Sequence, residues 1–321
     1  MTGAARLSAE RIAEAYRVID PVFRDSPQLE FPALSARLGA ATVFKVETLN
    51  PIRSFKGRGC SYLVHGMKAR TPLVCASAGN FGQGLAYAAR ARGIGLTVYA
   101  AESANPLKVD RMRGFGATVV LAGRDFDEAK AAARAHAAER GAAFIEDGDA
   151  PAIAEGAGTI ALELLRGSAR FDAIVVPLGN GSLLNGIATW VEANAPATRV
   201  IGVVAEGAPA MARSWRSGSV VATPSAETIA DGIAVRVPVP RALDDMRGTV
   251  DDMLEVQDAA MLRAMRLLLM ETGLLTEPAG AAGLAAILQH APLFAGQRTA
   301  TILCGSNVSK AQFAAWFGDA A

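Results

Sequence analysis

The sequence has little of several things, and each shortage excludes a class. It holds three cysteines in 321 residues (Cys60, Cys75 and Cys304) with no CxxC spacing, so neither a disulfide framework nor a thiolate metal site is written into it. The three histidines (His65, His136, His290) have no ligand spacing and read as helix-surface residues, and no metal site is expected. Charge of either sign is not in excess: 32 basic residues stand against 31 acidic ones, which leaves no electrostatic footprint for nucleic acid or an anionic membrane. Long apolar runs are missing too. A membrane-spanning helix needs about 20 apolar residues, whereas Pro278–Leu288 and Leu267–Met270 are short and flanked by Glu277, Gln289, Arg266 and Glu271. The N-terminus carries charges every few residues and no apolar core of a secretory signal. These shortages imply reduced thiols, a cytoplasmic location and a small-molecule ligand.

What is present is apolar content, 51% of residues, ample for a packed core and spread as alanine and valine. Short β-branched runs at Thr42–Val46, Leu73–Ala76, Leu96–Ala100, Ala117–Leu121, Ala173–Pro177, Val200–Ala205 and Thr299–Cys304 alternate with helical patterns. The helical stretches are Gly57–Lys68, Gly82–Arg92, Leu107–Phe115, Phe126–Arg140, Ile153–Leu165, Leu183–Glu192, Ala259–Glu271 and Ala279–Gln289, while Trp215–Arg247 reads as an irregular excursion. The strands are near-continuous apolar runs, as parallel strands covered on both faces are. The pattern predicts an α/β chain of two domains, each a twisted, mostly parallel sheet flanked by helices. The smaller domain is expected at 69–146, inserted in a larger one made of 1–68 and 147–321.

In open α/β sheets ligands sit at the carboxyl ends of strands. Three glycine-bearing turns follow strands and open helices: Ser77-Ala78-Gly79-Asn80-Phe81-Gly82-Gln83-Gly84, Leu178-Gly179-Asn180-Gly181-Ser182-Leu183, and Cys304-Gly305-Ser306-Asn307. Helix-start N–H groups and the helix dipole favour an anion, and Ser182 makes the second turn the best phosphate cradle. A dinucleotide fingerprint is incomplete at both Gly179-x-Gly181 and Gly82-x-Gly84, because Leu184 and Tyr87 stand where the third glycine belongs. Taken singly, each turn reads equally well as a tight connection. Lys56, in Asn50-Pro51-Ile52-Arg53-Ser54-Phe55-Lys56-Gly57-Arg58-Gly59, sits at a helix mouth behind an apolar residue. Desolvation and the helix N-terminus both disfavour its ammonium and favour a nucleophilic amine. A lone lysine there would read as a surface residue.

Together, Ser-Phe-Lys-x-Arg-Gly, Ser-Ala-Gly-Asn-x-x-Gln-Gly, Gly179–Leu183 and Cys304-Gly-Ser-Asn resemble, in chain order, the fold type II pyridoxal-phosphate enzymes of the serine/threonine dehydratase branch. Ser26-Pro27, Ala230-Asp231-Gly232-Ile233 and Glu277-Pro278-Ala279-Gly280-Ala281 add to the likeness. The resemblance implies that Lys56 holds pyridoxal 5'-phosphate covalently and then takes the substrate α-proton. It places Phe55 on a ring face, Asn80 at the ring hydroxyl, and Gly179, Asn180, Gly181, Ser182 and Leu183 around the phosphate. Cys304 faces the ring nitrogen, where a thiol is a weak donor. Ser77, Ala78, Gly79 and Asn80, with Gln83 near, hold the substrate carboxylate through backbone N–H groups from Ser77 to Asn80 and the Ser77 hydroxyl. The implied reaction is dehydration and deamination of L-threonine, L-serine or a related β-hydroxy amino acid to a 2-oxo acid and ammonia, in a homodimer.

Departures narrow this. Ala78 replaces the second acid of serine racemases, which disfavours racemisation, and Ala210 and Ala212 follow Glu206 where those racemases place a divalent-cation ligand. The Ser-Val-Lys-Asp-Arg and Thr-Ser-Gly-Asn signatures of cysteine synthases are missing, and Gly57 replaces the Asp of threonine synthases. A β-replacement synthase, a nicotinamide-dependent oxidoreductase and a non-catalytic amino-acid binder remain the alternatives. Phe81 and Arg53 also depart from the branch; either they tune the side-chain pocket, toward apolar and anionic substituents respectively, or they merely pack and face water. The chain ends 17 residues after Cys304, so no regulatory domain of the biosynthetic dehydratases is expected.

Overall fold

A computed structural model describes residues 6–67, 71–166 and 170–318. Lys68 and Ala69, at the expected domain boundary, lie outside the described residues, as do both chain ends. Among the described residues there are ten strands: β1 (Gln28–Glu30), β2 (Ala41–Val46), β3 (Leu73–Ala76), β4 (Leu96–Ala100), β5 (Thr118–Leu121), β6 (Ala143–Ile145), β7 (Ala173–Pro177), β8 (Arg199–Ala205), β9 (Asp252–Val256) and β10 (Arg298–Leu303). They form a six-stranded sheet in the order β1-β2-β10-β7-β8-β9 and a four-stranded sheet in the order β5-β4-β3-β6. Every neighbouring pair is parallel except β1 with β2. All strands of the smaller sheet lie between residues 73 and 145, and all those of the larger sheet lie outside that interval.

The apolar runs are explained by burial on both faces. Along β7, Ala173 and Val175 pack with the core under the helices Asp258–Thr272 and Pro278–Gln289, while Ile174 and Val176 pack with the helices Pro151–Leu164 and Ser182–Asn194 on the opposite face. On β3, Leu73 and Cys75 face Leu85 and Met112, and Val74 and Ala76 face Ala133 and Ala137 of the helix Phe126–Arg140. Side chains alternate across a strand, so a strand with two buried faces has no polar positions left.

Three strands escaped the sequence pattern: β1, β6 and β9. All three are edge strands, and β1 is exposed along its whole length. An edge strand with a solvated face needs no apolar run. Five helices escaped it as well (Ala9–Val18, Pro32–Leu38, Ala210–Ser217, Pro240–Met246 and Lys310–Phe317). Among the described residues, no helix is long and apolar enough to cross a membrane.

Candidate active site

The carboxyl ends of β3 and β6 in one sheet, and of β7 and β10 in the other, surround a cavity of about 450 Å³. Lys56 reaches it from the turn after β2. Asn50 builds that turn: its Oδ1 accepts from the N–H groups of Ile52 and Ser54, and its Nδ2 donates to the carbonyls of Glu47 and Ser54. The turn is tied to the end of β10, where Phe55 N–H donates to the Cys304 carbonyl at 3.1 Å and Ser54 bridges Gly305. Lys56 is thereby the first residue of the helix Lys56–His65. Its Nζ donates to Asp147 Oδ2 at 2.6 Å and to Ser182 Oγ at 2.9 Å, and stands 4.7 Å from the ring centre of Phe55. The lysine stands at a helix start beside an apolar ring, as the sequence suggests, and its ion pair with Asp147 is a contact that the sequence did not reveal.

Ser182 opens the helix Ser182–Asn194, and the residue before it, Gly181, has φ +95°, a left-handed conformation that strains any side-chain-bearing residue. A Cβ at Gly179 would lie 2.5 Å from the carbonyl oxygen of Gly232. Among the described residues, the N–H groups of Gly179 through Leu183 have no protein partner. Five unpaired donors at a helix start, a serine hydroxyl and a lysine amine within hydrogen-bond distance of that hydroxyl make a fitting cradle for a phosphate carried by an aldehyde cofactor.

On the facing wall, Ser77 Oγ accepts from the N–H groups of Gly79 (3.1 Å) and Gly82 (3.0 Å). This corrects the expected carboxylate site in part. The Ser77 N–H is spent on the Tyr99 carbonyl and the Gly79 N–H on Ser77 itself, which leaves the N–H groups of Ala78, Asn80 and Phe81 and the Ser77 hydroxyl proton. Gln83 is also displaced from the expected role. It is fully buried and does not line the cavity; its Nε2 donates to Asn80 Oδ1 at 3.4 Å. Asn80 is held from several sides, because its Nδ2 donates to Glu277 Oε1 at 2.6 Å and its Oδ1 accepts from Asn307 Nδ2 at 2.6 Å. Phe81 lines the cavity; Arg53 is exposed and does not, which removes it as an anion-selecting wall. Arg53 instead has φ +52°, and its carbonyl accepts from Ser306 N–H.

Cys304 lines the cavity with its Sγ 3.6 Å from the Ala279 carbonyl, and burial, reinforced by Glu277, pushes its thiol well up. It stays a neutral S–H near neutral pH. Lys108 and Asp147 are cavity residues that the sequence did not single out. Lys108 Nζ meets Asp231 at 2.5 Å and Glu277 at 3.9 Å; burial alone would lower its pKa, but the two carboxylates outweigh it and raise it. The Glu277 carboxyl is pushed up by burial, against the opposing charge of Lys108. Asp147 follows β6, so the rule that ligands meet strand ends would have found it had that three-residue strand been legible.

Residues 19–305 match the family described as "Pyridoxal-phosphate dependent enzyme". The chain belongs to that family. Among curated relatives of this pyridoxal-phosphate enzyme, an L-threonine ammonia-lyase of Geobacter sulfurreducens is 39% identical over 277 residues, covering 85% of this chain and 69% of that one. Among solved structures, a threonine deaminase of T.th. is 35% identical with a TM-score of 0.89, covering 94% of this chain and 99% of that one. Maize serine racemase is 27% identical with a TM-score of 0.91, covering 98% of each. The expected α/β architecture, family and cofactor are those found.

Proposed function

We propose that this chain dehydrates and deaminates L-threonine, L-serine or a related β-hydroxy amino acid to a 2-oxo acid and ammonia. The observation that carries the reading is the placement of Lys56 Nζ against Ser182 at the mouth of the glycine cradle, with the free donors of the Ser77–Phe81 turn lining the same cavity. Gly179 to Leu183 would hold the phosphate, Phe55 would pack on the ring and Asn80 would meet the ring hydroxyl. Pyridoxal phosphate supplies an electron sink that lets the Cα–H bond break. The Ala78, Asn80 and Phe81 N–H groups with the Ser77 hydroxyl bind the substrate carboxylate, and the two bonds that Ser77 Oγ accepts leave its proton for that anion. Lys56 Nζ takes the α-proton. Cys304, a neutral thiol, would offer a weak, uncharged donor at the ring nitrogen.

The names of the relatives support this reading, and Ala78 supports it against racemisation, since it offers a methyl where a second acid would be needed. The division of the strands between two sheets supports a smaller domain at 69–146 inserted in the remainder, and closure of that domain over the cavity would exclude water. A homodimer in the cytoplasm completes the proposal; sedimentation at twice the chain mass is the expected result for the assembly.

The test is the visible absorption spectrum of purified, cofactor-supplied protein with and without borohydride, followed by a 2-oxo acid assay on a panel of β-hydroxy amino acids. Wild type is expected to show a yellow band that reduction removes, and Lys56→Ala to lack it. Colourless wild type would overturn the lysine assignment. Ammonia release only after addition of a second nucleophile would favour a β-replacement synthase.

A further inference from the structure

Asp147 belongs to the segment that leads from the edge strand of the smaller sheet back to the larger one, and it lines the cavity. One carboxylate oxygen, Oδ2, pairs with Lys56 Nζ at 2.6 Å. The other, Oδ1, is buried without a hydrogen-bond partner among the described residues. The next residue, Gly148, has φ +87°, and a Cβ there would lie 2.2 Å from the Asn180 carbonyl oxygen. The segment is therefore pressed onto the phosphate cradle, and Asp147 is held where it is.

The groups facing Lys56 Nζ come from every element around it. Phe55 and Phe81 present ring faces at 4.7 and 6.0 Å. Ser182 presents a hydroxyl. The thiols of Cys60, on the same helix, and Cys304, after β10, feel the lysine's charge but are pushed up by burial and stay uncharged near neutral pH. Asp147 is the one carboxylate in contact with Nζ among the described residues. A carboxylate sealed from water at one oxygen must be compensated through the other, and an ammonium at Nζ is what compensates it.

We propose that Asp147 is a positioning residue for Lys56, holding Nζ beside Ser182 and stabilising the ammonium formed when Lys56 takes the substrate α-proton. In that step the Cα–H bond breaks, an N–H bond forms at Nζ and the electron pair stays with the substrate. The new charge at Nζ is balanced by Asp147. The catalytic part of this inference rests on the dehydratase reading above; the coupling between the two side chains does not.

The test therefore begins without turnover. In cofactor-free protein, the pH dependence of acetic anhydride labelling at Lys56, read by peptide mapping, reports the charge state of that amine. Asp147→Asn is expected to move the labelling midpoint down by about 1–3 pH units, the range for loss of an adjacent opposite charge. Asp149→Asn, on the same segment but paired with Arg241, is expected to leave it in place. In the loaded enzyme Asp147→Asn is expected to lower kcat about tenfold or more, with KM nearly unchanged, and to shift the acid limb of the kcat profile down. Should Asp147→Asn not fold, Asp147→Ser carries the same expectations. A folded variant with an unmoved labelling midpoint overturns the proposal, even if its stability falls. A shifted midpoint in a protein that releases no ammonia from any β-hydroxy amino acid counts against the dehydratase reading and leaves the coupling standing.

Discussion

Lys45, fully buried, and Lys56, half-buried, are both paired with a carboxylate, and they have opposite uses. Lys45 Nζ donates to Glu163 Oε2 at 2.5 Å and to the Ser26 carbonyl at 2.7 Å, and its side chain is 0% exposed. Its carboxylate is shared with Arg58, whose guanidinium also grips Glu47 and Thr159, so four charges close on one another with no space between them. Lys56 has as many protein partners, but its side chain is 12% exposed and opens onto a cavity. Burial even holds the Lys45 ammonium below its ordinary range, against the pull of Glu47 and Glu163. A perturbed lysine is therefore not by itself a reactive one: room for a reacting carbon beside the amine separates the two.

The sharpest way to break this comparison is to remove each lysine in turn. Lys56→Ala is expected to lose activity by about a thousandfold or more while its urea unfolding midpoint moves less than that of Lys45→Met. Lys45→Met is expected to show the reverse, with stability lost and the visible band retained; equal losses of both kinds in both variants would erase the distinction. Next in size is the closed cluster itself. Arg58→Met leaves buried Glu47 without its cation and Glu163 with Lys45 alone, and is expected to cost about 3–5 kcal/mol in urea unfolding, as breaking a buried pair does.

The cluster also predicts a pH dependence. Burial opposes the charged form of Glu163, but hydrogen bonds and charge from Arg58, with Lys45, outweigh it and hold the carboxyl below the usual carboxylate range. A depressed folded value means that the stabilisation is complete above the unfolded pKa of about 4.3 and is lost as pH falls through the folded value. Wild type is expected to lose stability more steeply than Glu163→Gln in that acid window, with the two parallel above about pH 5. The smallest expected effect lies on the opposite cavity wall. Ser77→Ala removes one hydroxyl donor to the substrate carboxylate, and KM for the amino acid is expected to rise about 10-fold or more with kcat little changed. An unchanged KM would return Ser77 to a purely local role, as the acceptor of the Gly79 and Gly82 N–H groups.

Legibility followed apolar β-branched runs, most of them buried on two faces, though the edge strand β5 also carries one. Ala173–Pro177 and Leu73–Ala76 stood out because two packed faces exclude polar residues, and the glycine turns stood out because a left-handed φ at Gly181 and a 2.5 Å approach at Gly179 leave no room for a side chain. The edge strands β1, β6 and β9 did not, and with β6 went Asp147. Gln83 was set near the substrate carboxylate by the likeness of the Ser77–Gly84 turn to the branch; in the fold it is buried behind Asn80, to which its Nε2 donates, and does not line the cavity. Arg53 drew notice as a departure from the branch pattern, which left both a cavity wall and a residue facing water open; the turn built by Asn50 leaves it exposed.

The local sequence determined the elements whose causes are local: apolar strands, helix starts, glycine turns, and a lysine placed after a turn at a helix mouth. Only the tertiary structure decided which groups meet at that lysine. Asp147 and Ser182 reach Nζ from segments distant in the chain because parallel strands deliver their carboxyl ends to one side of each sheet, and the two sheets bring those sides to one cavity. No spacing rule records a meeting of that kind, since it depends on strand order rather than on neighbours in sequence.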